Sequence, residues 1–146
     1  MGDREVSSKR FTRWTVLRIA WYVLVGAICE TLGMHRLAAA TYRRGIRFSD
    51  RQSSHRFANF FKSCVARTYD TRGDKDQALQ ILKERVAANP EDAMAYFDLA
   101  EFYFFNHQKD LAIQNYERAL QLETDEEWRR MIKAELSRLR ASTPAS

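Results

Sequence analysis

The sequence predicts an all-α fold, an α-solenoid of about three helical hairpins closed by a C-terminal capping helix. Three observations predict it. A 34-residue pattern occurs twice head to tail, at 59–92 and 93–126, so that Val65 aligns with Leu99, Ala66 with Ala100, Tyr69 with Tyr103 and Ala78 with Ala112. Self-similarity at this period marks stacked helical hairpins, none of which buries its apolar face alone. With 5 Gly, 2 Pro and 29% charged residues, the composition suits helices and argues against an all-β chain. Outside the two copies, apolar residues from Phe11 and again from Trp128 recur at three- and four-residue steps.

Residues 1–18 form a basic segment that extends into the first helix. Ser7 or Ser8 is placed to cap a helix beginning near Lys9. Phe11, Trp14, Leu17, Trp21, Leu24, Val25 and Ile28 then recur at helical spacing, which predicts one long helix. A membrane-spanning helix needs about 20 apolar residues. The uncharged run here, Ile19–Cys29, has 11, bounded by Arg18 and Glu30. Each charge drawn in to lengthen it costs about 2.5–3.5 kcal/mol near the bilayer centre. Length therefore favours a buried helix over a spanning one, and Arg18 interrupts the apolar core that a signal peptide requires. A helix apolar nearly all round is usually buried on most sides, yet the first helix of a solenoid has a neighbour on one side only. Either Phe11–Leu17 folds back over it or another molecule covers it. Phe11, Trp14, Leu17, Trp21, Leu24 and Ile28 are accordingly a candidate N-terminal contact face. Gly33 ends this helix, and Leu37–Ile46 forms its antiparallel partner with Arg36, Arg43, Arg44 and Arg47 outside. Ser49–Ser54 reads as a polar connection.

Further helices are predicted at His55–Arg72, Lys75–Ala88, Glu91–Asn106 and Lys109–Leu122. Ala66 and Ala100, facing Ala78 and Ala112, let antiparallel helices approach closely, and Tyr69 and Tyr103 fill the space beside them. Gly73 supplies a turn with φ > 0. Asp74 with Gln77 reads as a capping box, and Asn89-Pro90 as an N-cap followed by Pro at the first helical position. Thr124 with Glu127 is a second capping box, opening a capping helix at 127–140. Trp128, Met131, Ile132, Leu136 and Leu139 make its apolar stripe, and Arg129, Arg130, Lys133, Arg138 and Arg140 its polar remainder. Residues 141–146 read as a disordered tail.

The residues at fixed repeat positions resemble the tetratricopeptide repeat family. In the 93–126 copy these are Tyr96, Leu99, Ala100, Tyr103, Ala112, Tyr116 and Ala119, with His107 and Thr124 departing from the family's Gly and Pro. In the 59–92 copy they are Val65, Ala66, Tyr69, Gly73, Ala78 and Pro90. Lys62, Leu82 and Arg85 depart there, Arg85 standing where the family has Ala. A degenerate copy lies over 19–52, through Tyr22, Val25, Gly26, Gly33, Ala38, Tyr42 and Gly45. Ser53–Ala58 then separates it from the next copy and lengthens that copy's first helix. The resemblance thus covers 19–126. It implies a concave groove lined by Phe60, Ser63, Arg67, Asp70 and Thr71 from one copy and Met94, Phe97, Glu101, Phe104 and Phe105 from the next. Val23, Ala27 and Cys64 stand where the members that clamp acidic C-terminal tails carry Lys and Asn, so such a clamp is not implied.

The net charge of +5 is unevenly divided: residues 1–72 hold 14 Lys/Arg, 12 of them Arg, against 5 Asp/Glu, and residues 73–146 hold 10 against 14. A basic front half suits an acidic protein, an anionic membrane surface or nucleic acid. Nucleic acid is not the expected partner, because no recognised reading motif accompanies the arginines. Cys29 and Cys64 lie on different helices in no metal or redox spacing and read as buried thiols of a reducing, cytoplasmic compartment. His35, His55 and His107 are scattered, and no phosphate loop or nucleophile–base pairing accompanies them. The expectation is therefore a non-enzymatic scaffold or adaptor without metal, cofactor or catalytic residue, binding another protein through a peptide or helix in its groove. The alternative is a structural or assembly subunit of a membrane-associated complex. It would be peripheral or anchored at the cytoplasmic side and docked through the apolar first helix on a membrane protein, a membrane surface or a second copy.

Overall fold

Thr12 caps the first helix, its Oγ1 accepting a hydrogen bond from the Thr15 amide at 3.3 Å. The computed structural model describes residues 12–141. Among them run seven helices and no strand: α1 (Arg13–Thr31), α2 (His35–Arg51), α3 (His55–Arg72), α4 (Lys75–Ala88), α5 (Ala93–Phe105), α6 (Lys109–Leu122) and α7 (Glu126–Ala141). The expected caps Ser7 and Ser8, the start near Lys9, Phe11, and tail residues 142–146 lie outside the described residues. Each helix packs on its neighbours in sequence, and α3 also touches α5. The result is three antiparallel hairpins in a row with α7 closing the end.

Several local expectations are corrected. α2 continues to Arg51, through the stretch read as a connection, because Ser49 is small enough to be wholly buried and pack as core. The turn is carried by Ser53, at φ 55°. Asp74 begins α4 without capping it through its side chain; its carboxylate instead pairs with Arg72 Nε at 3.0 Å. Pro90 sits in the turn and Asn89 terminates α4, while Asp92 caps α5 by accepting from the Met94 amide at 3.0 Å. At α7 the cap is Asp125, whose Oδ1 accepts from the amides of Glu127 at 3.0 Å and Trp128 at 2.9 Å, and not Thr124.

Between the paired helices, small residues meet large rings. Gly26 of α1 faces the ring of Tyr42 so closely that a methyl group at 26 would overlap it. A Cβ at Gly45 of α2 would fall 2.7 Å from the Phe61 ring of α3. Ala66, Ala78, Ala100, Ala112 and Ala119 are all buried at equivalent places farther along. Tyr42, Phe61, Tyr116 and Ile132 are fully buried and mark one continuous apolar spine from α1 to α7. Removing such surface from water contributes about 25 cal/mol per Å².

The three hairpin turns share one backbone device. Gly33 and Gly73 take φ values of +71° and +93°, and His107, at the place corresponding to Gly73, takes φ 60°. The left-handed region costs a residue with a Cβ about 1–2 kcal/mol. Gly loses more freedom on folding, which offsets part of that. His107→Gly is therefore expected to stabilise the chain by roughly 0.5–1 kcal/mol, read as a higher urea midpoint; an unchanged or lower midpoint would show that the histidine ring compensates.

Candidate functional site

Helices α3 and α5, side by side in successive hairpins, form the walls of a cleft of about 600 Å³. Phe60, Ser63, Arg67 and Asp70 line it from α3, and Met94, Phe97, Glu101 and Phe105 from α5. They recur at three- and four-residue steps, so one face of each helix looks into the space. Phe60, Met94 and Phe105 are exposed there. Phe97 is half-buried, its ring 5.5 Å from both Tyr116 and Trp128, so it joins the cleft to the packing of α7. Phe104 is exposed outside the lining, its ring tilted 59° against that of Phe105 with centroids 5.2 Å apart. Thr71 also lies outside, its hydroxyl donating to the Arg67 carbonyl at 2.9 Å.

The floor holds residues that the groove pattern does not include. Arg85 of α4 is 3% exposed. Its guanidinium donates to Ser63 Oγ, to Asp98 and, at 3.2 Å, to Asp92 Oδ2. Ser63 donates to Asp98 Oδ2 at 2.7 Å, closing the cluster. Asp92 and Asp98 lie beyond the 59–92 copy or at its edge, so this cluster pins α4 and α3 to α5 and sets the spacing of the cleft walls. A buried guanidinium needs such company, because an uncompensated charge in the interior is very costly.

Glu30 organises the other end. Tyr42 donates to its Oε2 at 3.2 Å, Thr68 to its Oε1 at 2.6 Å, and Arg67 pairs with Oε2 at 3.2 Å, tying α1, α2 and α3 together. Burial works against the charge on Arg67, but Glu30, Cys64 and Tyr42 together outweigh it and raise the guanidinium pKa. Burial and the carboxylate of Glu30 raise the Tyr42 phenol well above its ordinary value. Burial and the hydrogen bond to Glu101 do the same for Tyr116. Burial pushes the Cys64 thiol, which lines the cleft, up to about 11. Because the two phenols stay protonated in the fold while their unfolded counterparts ionise near pH 10, their contribution to stability is complete below about pH 10 and falls above it. Tyr42→Phe with Tyr116→Phe should flatten that alkaline decline in urea titrations across the pH range; an equal slope in the double variant would count against the assignment.

The N-terminal face differs from the expectation of a buried helix. Thr15, Ile19, Tyr22, Gly26 and Cys29 of α1 are buried, and Val23 and Val25 pack partly buried against the core. Trp14 is 80% exposed and Leu24 61%, and Leu17, Trp21 and Ile28 are exposed beside them. α1 is one continuous helix, so residues 13–17 extend its axis and do not fold back over it. At 19 residues and mean hydropathy 1.2 it is, among the described residues, long and apolar enough to cross a membrane by length and composition alone.

No group of three or more His, Cys, Asp and Glu side chains among the described residues is arranged to hold a metal ion. Residues 93–126, the hairpin of α5 and α6, match the family model described as tetratricopeptide repeat. No sequence among curated proteins matches the chain. Among solved structures, that of the MamA protein superposes with a TM-score of 0.54 at 21% identity, over 86% of this chain and 63% of the other. The TPR domain of P58(IPK) superposes with a TM-score of 0.55 at 19% identity, over 90% of this chain and 36% of the other. The chain thus spans less than two thirds of the length of each, and at these identities what is shared is the fold.

Proposed function

We propose a non-enzymatic scaffold or adaptor that holds another protein by a peptide or helix laid between α3 and α5; the match of the 93–126 hairpin to the tetratricopeptide repeat model and the stacked-hairpin fold support this reading. The cleft carries this reading. It presents Phe60, Met94 and Phe105 to solvent, while in its floor the terminal nitrogens of Arg85 are held by Asp92, Asp98 and Ser63 and only its buried Nε is without a partner among the described residues. Apolar anchors of the incoming segment would fill the centre, and Arg67 and Glu101 would orient it at the rim. Phe60→Ser with Phe105→Ser tests this, since both rings face out and the fold does not depend on them. A peptide selected on the immobilised chain from a random library is expected to lose about tenfold or more in affinity for the double variant, with thermal midpoint unchanged. Undiminished binding would show that the cleft is not the site.

A second reading rests on the uncovered face of α1. It is a structural or assembly subunit of a membrane-associated complex, attached at the cytoplasmic side through Trp14, Leu17, Trp21, Leu24 and Ile28. Full-length protein recovered entirely in the soluble fraction of lysed cells, without detergent, would overturn it.

A further inference from the structure

We propose that α1 seats the chain on an anionic lipid surface, lying in the plane of the headgroups with its outer stripe among the acyl chains. This deepens the second reading above by naming lipid, and not a membrane protein, as what the helix meets.

The helix has two apolar faces with different occupants. The inward set, Thr15, Ile19, Tyr22, Gly26 and Cys29, is already covered by the protein. At 3.6 residues per turn, Trp14, Leu17, Trp21, Leu24 and Ile28 fall on nearly the opposite side, and Leu32, 64% exposed, continues them. Six large side chains, each at least 47% exposed, make a patch beyond what scattered surface residues explain, and such patches mark protein or membrane contacts.

Charge decides between those contacts. By the same helical geometry, Arg13 and Arg18 fall on opposite flanks of the stripe, and both are exposed. The single carboxylate of α1, Glu30, is drawn away into the cluster with Tyr42, Thr68 and Arg67. Arg36, Arg43, Arg44, Arg47 and Arg51 are exposed on the adjoining α2, against one exposed acid, Asp50. An apolar stripe holding two tryptophans, flanked by arginines and free of accessible carboxylates, is the pattern of a helix bound at an anionic interface. The exposed apolar residues also continue past the helix end, through Met34 and Leu37, beside Arg36. Spanning is disfavoured by the inward face: to cross the bilayer, α1 would have to leave α2 and carry Glu30 away from its three partners.

The test is vesicle binding by the full chain. Phosphatidylcholine vesicles containing phosphatidylglycerol are expected to sediment the protein and shift its tryptophan emission to the blue, while vesicles of phosphatidylcholine alone bind it weakly. High salt should weaken binding to the anionic vesicles. Trp21→Asp with Leu24→Asp should reduce partitioning about tenfold or more, and Arg13→Glu about fivefold or more. Both are expected to keep the wild-type thermal midpoint, because the altered side chains face solvent. The proposal is overturned if anionic vesicles do not bind the chain, if the aspartate variant binds as the wild type does, or if the same substitutions dissolve a stable dimer that ignores vesicles, which would assign the face to a second copy. Failure on vesicles with continued membrane fractionation in cells removes lipid and leaves the membrane-protein reading standing; failure of both removes the two together.

Discussion

Arg85→Ala is expected to destabilise the chain by about 3–5 kcal/mol, although it places a better helix former at a repeat position where Ala is usual. The reason lies in what Arg85 leaves behind. Its side chain is 3% exposed, and Asp92 and Asp98 beside it are 19% and 22% exposed. Removing the guanidinium leaves two close carboxylates partly desolvated, a Ser63 hydroxyl with one partner fewer, and a void beneath the cleft. Urea denaturation followed by circular dichroism reads the loss directly. Arg85→Met with Asp98→Asn should recover much of it, since replacing a buried charged cluster by apolar or neutral groups of similar volume is often close to neutral. A single variant as stable as the wild type would mean that the cluster does not hold the hairpins together.

The second large effect runs against helix propensity as well. Gly26→Ala is expected to lower stability by about 1–3 kcal/mol, where an open helical site would gain about 1 kcal/mol from the same change. The added methyl meets the ring of Tyr42. That ring has little room to move, being 1% exposed, packed 6.2 Å from Phe61 and anchored through its hydroxyl to Glu30. The cost should shrink when Tyr42→Leu opens space, so the two substitutions combine less than additively. Purely additive losses, or a stabilised Gly26→Ala, would refute the close approach of α1 and α2.

The sequence reading reached the hairpins through their period, and α3, α4 and α6 lie at the expected residues because Gly73 and the alanine pairs mark their ends and faces. The misreadings share a physical cause. Ser49 was indistinguishable from a loop residue by composition, since the same small polar side chain suits a turn and a tight helix contact. Two capping boxes had the right spacing, but Asp74 turns its carboxylate to Arg72, and at α7 Asp125, one place on from Thr124, takes the cap. Arg85 was legible only as a departure: its acidic partners lie 7 and 13 residues on, at the last position of its own copy and inside the next, where no local rule pairs them. The groove positions followed from the repeat register, and Phe97 shows its limit, because register cannot say that Trp128 comes back to share that ring. The exposure of α1 was undecidable from periodicity, since a helix apolar on both sides reads alike whether protein covers one face or two.

The joints of this stack are each secured by different chemistry, a carboxylate with three donors at Glu30 and a guanidinium with two acids at Arg85. The hairpins are therefore not interchangeable modules. Duplicating the middle one, or transplanting it to either end, would strand an ionised side chain at an unmatched junction, so attempts to lengthen this array by copying its own units should yield poorly assembling chains unless the mated residues travel together.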